Sequence, residues 1–159
     1  MFDLQTYTLI HVLISLAALF TGLPLLFGWK AGKALPGLAT VTLVLLLLTS
    51  ATGFGFPFIK FLPSHAFGIL SLGLLAVTIY ARWSRQLAGA WRTAYGATLA
   101  VAIYLDAFVT LVQAFLKIPA LHALVPSDQS PGFALGQGLL LIVFLALGIA
   151  AVRGLRRAA

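Results

Sequence analysis

Few residues of this chain are equipped for chemistry, and the clearest is a carboxylate where none is expected. Asp106 stands in a run from Thr93 to Leu116 that holds no other charge, and Thr110, Gln113 and Lys117 follow it at offsets of four, seven and eleven. At helical spacing these four share one stripe of an otherwise apolar cylinder. An ionised carboxylate in hydrocarbon costs about 2.5 to 3.5 kcal/mol on insertion scales, so Asp106 must be protonated, paired or hydrated. His11 is the other strongly titratable group inside an apolar segment. A His11–Asp106 pair would keep both groups polar and would be able to pass a proton. The alternative is that Asp106 hydrogen-bonds to Thr or Gln on neighbouring helices and fixes their register. With His65 and Tyr104, these residues make the candidate set for ligand binding or proton relay: Asp106, His11, Gln113, Thr110, His65 and Tyr104.

Other chemistries find less support. His11, His65 and His122 are the three histidines, and no pair has the i, i+4 spacing of a helical metal site, so no metal site is assigned. A haem or quinone held between His11, His65 and Asp106 has suitable groups, but nothing in the sequence requires a cofactor. There is no Ser/His/Asp order and no HExxH, so no catalytic residue is named and a non-enzymatic role is expected. The absence of cysteine removes disulfides, thiolate catalysis and cysteine-ligated metal centres.

The elements that must position these residues follow from composition. The chain has 159 residues, 62% hydrophobic and 8% charged, with mean hydropathy +1.09. That is more apolar surface than a soluble domain of this size can bury. We expect an all-α integral membrane bundle of five transmembrane helices in a single domain, with spans at about 6–29, 35–54, 65–81, 93–116 and 132–152. Met1-Phe2-Asp3 lacks a basic n-region, so the first segment is expected to remain as a helix. On that helix His11, Ser15, Ala18 and Gly22 share one face, as close-packing positions do. Pro24 is placed to kink its far end, and Ser64 to cap span three. The Phe-rich segment from Phe54 to Phe61 reads as an interfacial belt, or as a lid.

Lys and Arg alternate between loops. Lys30 and Lys33 follow span one, Arg82, Arg85 and Arg92 follow span three, and Arg153, Arg156 and Arg157 follow span five, against Lys60 and Lys117 in the other two connections. The positive-inside rule then puts the N-terminus outside and the C-terminus in the cytoplasm. In this topology His11 lies about 7 Å and Asp106 about 15 Å inside the outer ends of their spans. His65, Gln113, Gln137, Thr49 and Thr52 map to the same outer half, and the inner half has almost no polar residues. A polar cavity or hydrogen-bonded network opening outward is the expectation. The basic residues lie in short loops rather than on one face, which points to lipid and not to nucleic acid.

The segments Thr52-Gly53-Phe54, Phe56-Pro57-Phe58, Pro63-Ser64-His65, Gly68 to Leu72, Gly89 to Arg92, Tyr104 to Val109, Gln113-Ala114-Phe115 and Lys117 to Leu121 occur in this order. Together they resemble a family of small uncharacterised bacterial multi-span inner-membrane proteins, over the chain from span two onward. In that family's pattern asparagine stands where this chain has Asp106, and an amide there would still hydrogen-bond. The resemblance implies a bacterial inner-membrane location and no activity. The leading reading is therefore a protein with an outward-facing polar pocket that binds a small ligand or docks with other membrane subunits or with itself. A proton-coupled carrier or channel using Asp106 and His11 is the second, and a haem- or quinone-binding redox subunit the third.

Overall fold

A computed structural model describes residues 3–57 and 63–158. Among them the chain forms six helices and no strand: α1 (Leu4–Lys30), α2 (Pro36–Gly53), α3 (Pro63–Ile79), α4 (Ala90–Lys117), α5 (Pro119–Leu124) and α6 (Pro131–Arg157). α1, α2, α4, α6 and, with its continuation to Ser84, α3 are long and apolar enough to cross a membrane, which is the arrangement of a multi-pass membrane protein. Their outer faces are greasy: Phe20 is 79% exposed, and Leu139, Ile142 and Leu145 on α6 also face outward. Such a surface suits lipid and not water.

Helices α1 to α4 form a four-membered group in which α1 contacts both α2 and α4, α2 contacts α3, and α3 contacts α4. Helix α6 lies along both α1 and α4, so these two are the central pair. Small residues permit the close approach. A Cβ on Gly22 of α1 would stand 3.0 Å from the Ile103 side chain of α4, and one on Gly154 of α6 would overlap the Trp29 carbonyl oxygen. Packing of this kind, rather than hydrophobic exclusion, holds helices together in lipid.

Helix ends differ from expectation in informative ways. α1 passes through Pro24 and stops at Gly32, whose φ of +75° suits only glycine well. There the Gly32 N–H reaches the Trp29 carbonyl and the Lys33 N–H the Gly28 carbonyl, a Schellman closure. The third span leaves α-helical geometry at Tyr80 and continues to Ser84 as a π-turn. α6 continues past Val152 to Arg157, because long basic side chains keep their charged heads in water while the helix backbone continues. The connection after α4 contains the short α5. Residues 58–62 and the Ser64 side chain lie outside the described residues, and with them much of the Phe-rich segment and the Ser64 cap.

The bundle has two unlike ends. One collects the C-termini of α1 and α6, the π-turn and the start of α4, with Lys30, Lys33, Arg82, Arg85, Arg92 and Arg153 to Arg157; we call it the basic end. Here Trp29, wholly buried, stacks on Tyr95 with ring centroids 5.6 Å apart. Its indole N–H donates to the Ala34 carbonyl at 2.9 Å, and Arg82 donates to the Tyr95 hydroxyl at 3.0 Å. The opposite end, with the starts of α1, α3 and α6 and the ends of α2 and α4, is the polar end.

Candidate polar cup

Near the polar end α1, α2, α3 and α4 line a cavity of about 610 Å³. His11 and Ser15 come from α1, Thr49 and Ser50 from α2, His65 and Ser71 from α3, and the Asp106–Thr110–Gln113–Lys117 stripe from α4. The stripe read from the sequence thus faces one space along its full length. Apolar walls alternate with these groups, including Leu16, Leu46, Phe67 and Leu105.

Asp106 is half-buried, about 16 Å from the end of α4 at 1.5 Å per residue. Its Oδ1 accepts the Ser15 hydroxyl at 2.7 Å, while its buried Oδ2 has no hydrogen-bond partner among the described residues. Ser15 also approaches the Thr110 hydroxyl at 3.4 Å. His11 takes a different partner. Its Nδ1 lies 2.8 Å from the Thr52 hydroxyl, which itself donates to the Leu48 carbonyl at 2.6 Å. With the Thr52 proton on that carbonyl, Nδ1 would donate to Thr52 and Nε2 would be left as the acceptor nitrogen of the ring.

The direct His11–Asp106 pair is therefore not formed: Ser15, one helical turn beyond His11 on the same face, holds the carboxyl instead. Ser15 was legible as a small residue on that face but not as a hydrogen-bond donor, because which helix faces α1 at that level is a property of the packing. Its i, i+4 relation to His11 was the available signal.

Aromatic rings cover the cup. Phe56 meets Tyr7 and His11 edge-to-face, with centroids 5.0 and 5.2 Å away, and Phe54 lies against His65 at 6.1 Å. The Tyr7 hydroxyl donates to the Thr52 carbonyl at 2.7 Å, passing so close to Gly55 that a Cβ there would overlap it. The two described phenylalanines of the Phe-rich segment thus turn toward the histidines. Deeper in the wall, the Ser50 hydroxyl donates to Ser71 at 3.0 Å and joins α2 to α3.

Other candidates lie elsewhere. Tyr104 is not in the cup; it packs on Phe108 and on Phe144 of α6, on the other side of α4. Its position two residues before Asp106 is about 200° around the helix, which accounts for this. Gln137 is likewise on that side, donating to the Phe108 carbonyl at 3.3 Å. His122 lies 3.2 Å from the Phe115 carbonyl, back on the end of α4, and no group of three metal-ligating side chains occurs among the described residues. The half toward the basic end is also less bare than its composition suggests. Thr42, Thr78 and Thr98 are there, and their hydroxyls bond to carbonyls one turn back, which hides their polarity.

Neither a family model, nor a curated protein, nor a solved structure matches this chain.

Proposed function

We propose that this chain is a multi-pass protein of a bacterial inner membrane, its N-terminus outward, that holds a small amphipathic ligand in the polar cup. The observation that carries this reading is a cavity of about 610 Å³ lined by Asp106, His11, Thr110 and Gln113, beside which the buried Asp106 Oδ2 and Thr49 Oγ1 have no hydrogen-bond partner among the described residues. Buried polar atoms are nearly always satisfied, so these two mark a place that the chain's own packing does not complete. A ligand with an apolar body and two or three hydrogen-bonding atoms would match walls that mix leucine and phenylalanine with hydroxyls.

The cup ends where packing begins. Beyond Ser15 and Leu105, Ala18, Leu75, Leu99 and Ile103 are fully or almost fully buried. A proton-coupled carrier needs a hydrated path through this layer, so the binding reading is preferred.

The test is ligand retention. Protein purified in mild detergent is examined by native mass spectrometry and by extraction of co-purifying small molecules. We expect a bound species whose retention falls at least tenfold in Asp106→Ala and partly recovers in Asp106→Asn, since an amide still hydrogen-bonds. Equal retention in all three proteins would remove the reading. The orientation is tested separately, with a reporter fused after Arg157: a cytoplasmic signal is expected, and an external one would turn the cup to the other side of the membrane.

A further inference from the structure

A second cavity, of about 400 Å³, lies between α4 and α6 on the face away from the cup. Its floor is made by small residues, Ala97 and Ala100 of α4 and Gly148 of α6, and its sides by leucines such as Leu141 and Leu145. At its basic end it is closed by Arg153, the first cation of the α6 terminus. From Leu141 to Arg153 it follows α6 for about 18 Å, close to one leaflet of a hydrocarbon core about 30 Å thick.

Charge defines the occupant. The chain's acids are Asp3, Asp106 and Asp128, and none of them belongs to the basic end. Arg153 is exposed, and no Asp or Glu side chain lies at that end to neutralise it. An apolar trough one leaflet deep, closed by a guanidinium at headgroup level, is complementary to an acyl chain joined to a phosphate. We propose that the α4–α6 groove is a binding site for a phospholipid with a net negative headgroup, one acyl chain lying over Gly148 and Ala100 and the phosphate against Arg153.

Gly148 makes the site testable, because a Cβ there meets nothing nearer than the Ala100 Cβ at 3.8 Å. A larger side chain would project into the trough rather than into the bundle. The full-length protein in detergent is titrated with phosphatidylglycerol and with phosphatidylcholine of the same chains, and binding is read by native mass spectrometry. Phosphatidylglycerol should bind more tightly. Arg153→Gln should weaken it about fivefold, the effect of one cation near an anionic surface, Arg153→Lys should restore most of the loss, and Gly148→Leu should weaken both lipids. Arg153→Gln changes an exposed residue and so keeps the test decisive if Gly148→Leu unfolds. Equal binding of the two lipids would overturn the proposal. So would a phosphatidylglycerol preference unchanged in Arg153→Gln, or soluble glycerophosphate binding as tightly as the lipid.

Discussion

At the basic end the Thr78 and Thr98 hydroxyls share a hydrogen bond at 2.7 Å, one donating to the other, and each also lies within hydrogen-bond distance of a carbonyl of its own helix, whereas Thr49 at the polar end has a buried hydroxyl with no partner among the described residues. The contrast extends to larger groups. Trp29, Tyr95 and Arg82 interlock with every polar tip engaged, while Asp106 has one oxygen satisfied and one not. The other buried unpartnered atom among the described residues, Gln137 Oε1, is also toward the polar end. One end is thus packed for stability. The other retains polar capacity that its own chain does not use, as binding sites commonly do at some cost in stability.

Replacing the aromatic anchor of each end would test this division most severely. Trp29→Ala should lower unfolding free energy by about 3 to 5 kcal/mol, because the cavity left beside Tyr95 and Gly154 has rigid walls. Phe56→Ala, only half-buried over His11, should cost clearly less while exposing the cup. Thermal unfolding in a single detergent compares the two, and an equal loss would end the distinction.

A subtler comparison removes one hydroxyl from each end. Ser15→Ala strips Asp106 of the hydrogen bond to its Oδ1 and should cost about 1 kcal/mol, the scale of a single interhelical bond in a membrane bundle. It should also weaken ligand retention. Thr78→Val, which leaves Thr98 bonded to the Ala94 carbonyl, should cost less and leave retention unchanged. If both variants behave alike, Ser15 is only another packing contact.

The smallest effect concerns the first turn of α1. Asp3 accepts the Thr6 N–H at 2.7 Å, and hydrogen bonds from the Thr6 backbone and hydroxyl hold its carboxyl below the ordinary value of 3.8. A depressed carboxyl stabilises its cap above that value and loses it as pH falls through the lower, folded one. Hydrogen exchange at the Thr6 amide should therefore accelerate, relative to the intrinsic rate, below about pH 4. Amides near Ser15 should not respond to this cap, since it acts only on the first turn.

Much of this was already determined by residue order. Apolar runs of span length dictate five helices, since backbone groups in lipid must be bonded within their own segment. The offsets from Asp106 to Lys117 dictate a polar stripe, because 3.6 residues per turn leaves no other geometry. Periodicity ends at the surface of one helix, however. That Ser15 rather than His11 meets Asp106, that Thr52 orients the His11 ring, and that Tyr104 turns toward α6 depend on which helices pack together, and at what depth and rotation. Those choices come from contacts such as Gly22 on Ile103 and Gly154 on Trp29, made between residues distant in sequence, and only the assembled bundle decides them.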